Sequence, residues 1–296
     1  MNSIKRIYIK TFGCQMNVHD AARMVDVLRP QGWVATSDPA EAALIIVNTC
    51  SVREKSQAKV LSAVGRYSQL KQRRPGLLLA VAGCVAQQEG RGLLRAAPQL
   101  DLVLSPDHIA VLPELVAAAE QGAAPAVRTG FAPAEQHQFL RADVEHCRGP
   151  TALVTIQKGC DNACAYCIVP RVRGPEVSRP MAQIIDEIER IVDRGVKEVT
   201  LIGQNVNTYR GGSTGRPGDF IELLRRVDGV DGLARLRFTT SHPKDMHPDL
   251  AACYAELRTL CPWLHLPVQS GSDHVLRLMG RGYTRQQYLE RVGEVR

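Results

Sequence analysis

Three runs in the first half of the chain are apolar without alternation, and they end alike. RIYIKTFGC closes on Cys14, ALIIVNTC on Cys50 and LLLAVAGC on Cys84. An uninterrupted β-rich run is the pattern of a strand buried on both faces. Between the runs lie segments of helical character, at His19–Gln31, Glu54–Lys71 and Gln88–Ala96. Alternating strands and helices predict an α/β domain with a parallel sheet. In such sheets ligands bind outside the carboxyl ends of the strands. All three cysteines are expected at that edge, where residues far apart in sequence can converge.

The pattern lapses over Gly122–Pro150, GAAPAVRTGFAPAEQHQFLRADVEHCRGP, which is rich in Ala, Pro and polar residues and reads as a linker. It resumes with TALVTIQ as a strand, a helix near Pro180–Arg194, KEVTLIG as a strand and Asp219–Val227 as a helix. Then come ARLRFTTS as a strand, Pro248–Leu257 as a helix, WLHLPVQ as a further strand, and helical stretches at Asp273–Met279 and Arg285–Arg296. The predicted division is residues 1–121, a linker at 122–150, and a second α/β domain at 151–296. Functional loops at the carboxyl ends of strands are the barrel arrangement. Four strands cannot close a barrel and the last helix meets the end of the chain, so a partial barrel from a truncated sequence is expected.

Composition changes this picture little. The chain has 296 residues, enough for two domains, and 45% of them are hydrophobic. The net charge of +7 arises from 37 basic and 30 acidic side chains, a mild bias toward a polyanionic partner that a merely basic soluble protein shares. The start, MNSIKRIYIKTFG, has no apolar signal core, and no run of 18 apolar residues occurs. A cytoplasmic protein away from membranes is expected. In a reducing compartment nine cysteines point to metal binding or catalysis before disulfides.

The chemistry concentrates in GCDNACAYC, where Cys160, Cys164 and Cys167 follow the first strand of the second half as C-x3-C-x2-C. A structural zinc site takes four ligands. Here the loop offers no histidine, and its one acid, Asp161, adjoins Cys160. Three thiolates can hold three irons of a cubane cluster and leave the fourth iron open. S-adenosylmethionine (SAM), with its amino and carboxylate groups, can chelate that iron, and SAM radical chemistry is an established cofactor role. Zinc with a ligand from elsewhere is the alternative. Cys14, Cys50 and Cys84 are either three ordinary buried cysteines or a shared metal site; their equivalent positions favour the second. Tyr166 could stack on an adenine or simply pack.

The C-x3-C-x2-C loop after a first strand resembles the radical-SAM superfamily. TFGCQMN, NTCSVRE and GCVAQ, together with RGPEVSRP, GQNVNTY, TSHP, LPVQSGS and the MGRGYT region, resemble the methylthiotransferases, from about residue 5 to the end. TFGCQMN with NTCSVREK is similar to the branch of tRNA-2-methylthio-N6-dimethylallyladenosine synthases. The resemblance implies a methylthiotransferase domain on a parallel sheet, followed by an incomplete radical-SAM (β/α) partial barrel. It implies two [4Fe-4S] clusters, one on Cys160, Cys164 and Cys167, and an auxiliary one on Cys14, Cys50 and Cys84. It also implies the reaction: methylthiolation of carbon 2 of N6-isopentenyladenosine next to the anticodon of tRNA, using SAM, an electron donor and a sulfur donor. That C–H bond has no acidic proton, so a radical route needs no His–carboxylate pair.

Tyr166, Glu176, Arg179, Gln204, Asn205, Ser241 and Gln269 are carried over as SAM-binding candidates, with His242 and Ser270 as further strand-end candidates. Each has a plainer reading: Glu176 and Arg179 can begin the helix at Pro180, and Gln204 and Asn205 can form a polar turn. Cys147, Cys253 and Cys261 receive no role. The chain departs from the family at Arg171–Pro175, where a Tyr-Thr-Arg-Gly-Arg type run is usual. The last barrel units and the family's TRAM domain are absent from the sequence, so weak tRNA binding is expected. A monomer is expected as well. The rival readings are a methylthiotransferase for threonylcarbamoyladenosine or a ribosomal-protein aspartate, and a non-catalytic, zinc-stabilised nucleic-acid-binding module.

Overall fold

A computed structural model describes residues 4–52, 56–133, 137–143, 149–216 and 218–296. Cys147 and the expected helix start at Glu54 lie outside the described residues. The chain forms two compact units: residues up to Ala142 together with Arg171–Arg173, and Asp143–Pro170 with Gly174–Arg296.

The first unit runs β1 (Lys5–Phe12), α1 (Gln15–Leu28), β2 (Trp33–Ala35), β3 (Leu44–Thr49), α2 (Ser56–Arg73) and β4 (Leu78–Gly83). It continues α3 (Cys84–Glu89), α4 (Arg91–Ala96), β5 (Leu102–Leu104), α5 (Leu112–Glu120) and β6 (Ala126–Arg128). The six strands pair in the order β2-β1-β3-β4-β5-β6, every pair parallel. The unbroken apolar runs explain why the sheet is covered twice. Leu44, Ile46, Leu78, Ala80, Leu102 and Leu104 pack with Met24 and Leu28 of α1 and with Leu112 and Val116 of α5. Their sequence neighbours Ile45, Val47, Leu79, Val81 and Val103 pack with Val60, Ala63 and Val64 of α2 and with Val85 and Leu93 of α3 and α4. Each buried aliphatic side chain contributes about 1.5–3 kcal/mol.

Three local differences from the sequence reading have physical causes. Helix α1 begins at Gln15, not His19, because Asn17, His19, Asp20 and Arg23 are buried on it and hide its periodicity. Helix α3 begins at Cys84 itself, before the expected Gln88. Ala126–Arg128, in the stretch read as a linker, pairs with β5 as an edge strand, and Leu140 packs against the core.

The second unit runs β7 (Thr151–Thr155), β8 (Gln157–Lys158), α6 (Val169–Arg173), β9 (Val177–Ser178), α7 (Met181–Asp193), β10 (Glu198–Ile202), α8 (Asp219–Asp228) and β11 (Arg235–Phe238). It ends with α9 (Leu250–Glu256), α10 (Asp273–Leu278) and α11 (Arg285–Glu294); the last three residues of α6 cluster with the first unit. Strands β11-β10-β7 form a parallel sheet. Ile184, Ile188 and Ile191 of α7 and Phe220, Leu223 and Leu224 of α8 are buried with Val154, Val199, Leu201, Leu236 and Phe238 of the strands. The expected strand WLHLPVQ is absent. Beyond β11 the next segment pairs only through an isolated bridge, Leu236 with Leu260. Pro262 and Pro267 lack the amide that a strand interior needs, and Trp263 is exposed.

Candidate metal centres and their surroundings

In the first unit the sheet order reverses between β1 and β3, with β2 on one side and β4 onward on the other. That is the topological switch point, where an open α/β sheet leaves a crevice at its carboxyl edge. Cys14 follows β1, Cys50 follows β3 and Cys84 follows β4. The strands are in register at Phe12–Thr49 and Thr49–Gly83, so the cysteines leave the edge at one level. The Cys50 amide donates to the Phe12 carbonyl (3.0 Å). A Cβ on Gly13 would lie 2.5 Å from the Cβ of Cys50, so this turn approaches as closely as it does only with glycine. The Cys50 thiol neighbours both Cys14 and Cys84, and it accepts from the Val52 amide (3.4 Å).

Two buried asparagines brace the turn. The Cys14 thiol donates to Asn17 Oδ1 (3.3 Å), Asn17 Nδ2 donates to Asn48 Oδ1 (3.2 Å), and Asn48 Nδ2 donates to the Asn17 carbonyl (2.7 Å). A buried guanidinium completes the group: Arg173 donates to Cys84 Sγ (3.3 Å) and to Asp20 Oδ2 (2.7 Å). The neighbouring Cys50 thiol, first among the causes, lowers both Cys14 and Cys84 to about 6, and the Arg173 charge acts in the same direction. Cys50 is pushed up by its two thiol neighbours and by burial. Among the described residues no three His, Cys, Asp or Glu side chains are disposed around a single metal ion. The donor set is three thiols, two of them held near the thiolate form, which is the ligand type that iron–sulfur clusters take.

In the second unit the Cys160 loop is tied down on every side. The Gly159 amide donates to Gln204 Oε1, and the Cys160 amide to the Gly174 carbonyl (3.2 Å). The Ala165 amide donates to the Met279 carbonyl (3.0 Å) and the Cys167 amide to the Cys164 carbonyl (3.0 Å). Cys160 is buried, while Cys164 and Cys167 are half-buried. Burial pushes the Cys160 thiol up, and Cys167 and Glu176 add to the rise. Asp161, the acid a fourth zinc ligand would need, accepts from the Glu176 amide (2.8 Å). The loop therefore presents three thiols and no ready fourth ligand, a donor set that would suit a cluster with one open iron.

The other candidates separate into groups. Glu176 is lifted to about 7 by burial, and the Thr208 hydroxyl donates to it (2.5 Å). Gln204 is tied to the loop, and its own amide donates to Gln157 Oε1 (2.9 Å). Asn205 Nδ2 donates to Asp245 Oδ2 (2.7 Å), which also faces Asn162 (3.5 Å). Asn205 Oδ1, both polar atoms of Asn207, Ser241 Oγ and His242 Nε2 are buried without a partner. These orphan atoms lie in the segments just after β10 and β11, and they suit a polar ligand. Thr240 and Gln269 carry positive φ (73° and 71°), backbone strain of the kind found at functional sites. Gln269 and Tyr166 are exposed, and Ser270 is half-buried. Arg179 stands apart: it is fully buried and paired with Glu187 (2.6 Å), with its guanidinium also donating to the Thr155 and Gln183 carbonyls. Its charge is neutralised inside the unit. The sequence reading missed Asn17, Asp20, Asn48, Arg173, Asn207 and Arg281. TFGCQMN and MGRGYT contain Asn17 and Arg281, but nothing in the run of residues marks them as buried.

Residues 6–105 match the uncharacterized protein family UPF0004, and residues 154–296 match the radical SAM superfamily. The tRNA-2-methylthio-N(6)-dimethylallyladenosine synthase of Citrifermentans bemidjiense is 48% identical over 296 residues, covering 100% of this chain and 67% of the relative. The chain belongs to this synthase family. The Geobacter metallireducens synthase is 53% identical, with 100% of this chain and 66% of the relative covered. The chain thus spans about two thirds of the length of these curated relatives. Among solved structures, the radical S-adenosylmethionine methyltransferase TsrM of Kitasatospora setae aligns with a TM-score of 0.64 at 13% identity, covering 99% of this chain and 65% of TsrM. The cobalamin-dependent radical enzyme OxsB aligns at 0.68 and 12% identity, covering 99% and 47%. At such identities these two show the fold alone. Membership of the radical-SAM superfamily carries SAM and a [4Fe-4S] cluster with it. No described helix is long and apolar enough to cross a membrane.

Proposed function

We propose that this chain carries the methylthiolating machinery that inserts a methylthio group at carbon 2 of N6-isopentenyladenosine in tRNA. The observation behind this reading is the similarity along the whole of this chain, at 48% and 53% identity, to synthases of that name, combined with two separate cysteine triplets. Cys160, Cys164 and Cys167 hold the SAM cluster, and Cys14, Cys50 and Cys84 hold the auxiliary cluster. When bound, the first supplies one electron to SAM at its open iron and the second supplies sulfur. The chain's own residues do the positioning. Asn17 and Asn48 fix the Cys14 turn, while Arg173 and Asp20 hold Cys84 and favour its thiolate. Gln204 and the Gly174 carbonyl fix the start of the Cys160 loop.

The orphan atoms of Asn205, Asn207, Ser241 and His242 receive the polar groups of SAM, with Gln204 on the same loop as the asparagines and Glu176, Gln269 and the exposed Tyr166 ring contributing from other segments. Arg179 acts as a buried post that carries the SAM-side turn through its carbonyl, which accepts from Tyr209 Oη (2.8 Å). The partners are tRNA, attracted by the basic excess through phosphate contacts, an electron donor and a sulfur donor. The setting is the cytoplasm. The test is anaerobic incubation with SAM, a reductant and tRNA, followed by nucleoside mass spectrometry. Methylthio product from isopentenylated tRNA and none from unmodified tRNA supports the reading. Product on threonylcarbamoyladenosine or on a ribosomal-protein aspartate, with isopentenylated tRNA ignored, overturns the substrate assignment.

A further inference from the structure

Among the described residues four arginines are buried: Arg23, Arg173, Arg179 and Arg281. The first three face carboxylates, Asp26 (3.0 Å), Asp20 (2.7 Å) and Glu187 (2.6 Å). Arg281 is 5% exposed and has no such partner among the described residues; its neighbours include Tyr283, Cys164, Tyr166 and His242. Burying an unpaired cation is costly, so a buried guanidinium calls for an anion. The group placed to supply it is sulfur. Arg281 Nη1 lies 3.3 Å from Cys164 Sγ and 3.4 Å from Tyr166 Oη.

The guanidinium is held from behind. Its Nε donates to Tyr283 Oη (3.2 Å), its plane lies over the Tyr283 ring (5.4 Å), and Tyr283 Oη donates to the Val268 carbonyl (2.7 Å). The turn that carries it is docked on the loop as well, through the Ala165 amide and the Met279 carbonyl (3.0 Å). A fixed fork aimed at one ligand sulfur, with a tyrosine holding the fork, is an arrangement that tunes a metal group from outside its ligands. Hydrogen bonds to sulfur and local positive charge stabilise the reduced, more negative state of a cluster.

We propose that Arg281 is a positioning residue of the loop cluster, donating to the Cys164 thiolate, holding the Tyr166 side chain beside it and raising the cluster's reduction potential. The inference rests on the assignment of Cys160, Cys164 and Cys167 as cluster ligands. The test is a redox titration of the full chain, followed by electron paramagnetic resonance, in a background with Cys14, Cys50 and Cys84 changed to Ala so that one cluster is read. Arg281→Gln is expected to shift the one-electron equilibrium about tenfold toward the oxidised state, about 59 mV more negative. Arg281→Lys, which keeps the charge but not the fork, should fall between Gln and the parent, and so should Tyr283→Phe. An unchanged potential in Arg281→Gln with iron retained overturns the proposal, as does a change confined to SAM affinity. If Arg281→Gln holds no iron, the other two variants decide, and parental potentials in both overturn it. A parent chain that binds no iron at the loop overturns the ligand assignment itself, a failure visible before any Arg281 variant is made.

Discussion

Replacing Gly159 by Ala tests how tightly the Cys160 loop is built. The added Cβ would stand 1.9 Å from the Pro175 carbonyl oxygen and 2.5 Å from that of Gly174. Real contacts begin near 3.0 Å, so the two segments must part by at least 3.0 − 1.9 = 1.1 Å. The residue also has φ +73°, which costs an L-residue about 1–2 kcal/mol. The parting breaks the hydrogen bond that the Cys160 amide donates to the Gly174 carbonyl and strains the one from the Gly159 amide to Gln204 Oε1, each contributing about 0.5–1.5 kcal/mol. The sum, roughly 3–5 kcal/mol with some overpacking strain, corresponds to a melting shift of about 6–20 °C for a unit of this size. Gly271→Ala is the control, since nothing lies within 4 Å of its Cβ. Thermal unfolding and iron content are the readouts. Parental melting and full iron in Gly159→Ala would refute the reasoning, because both opposing atoms are backbone and cannot swing aside.

Arg179→Met leaves the Glu187 carboxylate buried and unpaired, and should cost about 3–5 kcal/mol in denaturant unfolding; adding Glu187→Leu should recover most of it. Asp20→Asn strips Arg173 of its counter-ion and should destabilise the first unit by a similar amount, about 3–5 kcal/mol, read as early loss of the N-terminal transition on heating. His242 is lowered from 6.5 to about 4, first by burial and then by the Arg281 charge. The unfolded state therefore binds more protons between those values, and unfolding free energy should fall as pH drops from about 6.5 toward 4. His242→Asn should flatten that slope, and an unaltered slope would show that His242 is not the group responsible.

The strand ends were legible because a reactive residue closes each unbroken apolar run, at Cys14, Cys50 and Cys84. The parallel sheet followed from the same runs, and the cysteine loop from its spacing. What escaped was too short or too polar to carry a period. Strands β2, β5 and β6 have three residues each. Helix α1 starts early because its first turns bury Asn17, His19, Asp20 and Arg23, residues whose burial depends on partners elsewhere. Trp263–Gln269 has a strand's apolar content, yet Pro262 before it and Pro267 within it leave only the Leu260 bridge just upstream. Arg173 and Arg281 each precede a glycine, in RVRGP and MGRGY, and neither run has a period that marks the arginine as buried. Their places are set by thiols distant in sequence, 89 positions away for Arg173 and Cys84 and 117 for Arg281 and Cys164. Arg179 shows the converse, a motif residue whose position follows from an internal partner, Glu187.

The central claim is that each cysteine triplet holds its own cluster. Iron and acid-labile sulfide, counted after anaerobic reconstitution in the parent and in two triple variants, test it most directly. Changing Cys160, Cys164 and Cys167 to Ala should remove about half the iron and abolish reductive SAM cleavage. Changing Cys14, Cys50 and Cys84 to Ala should remove the other half, leave SAM cleavage measurable and abolish methylthio insertion. A colourless parent carrying zinc, or either variant retaining the parent's full iron, would contradict the account.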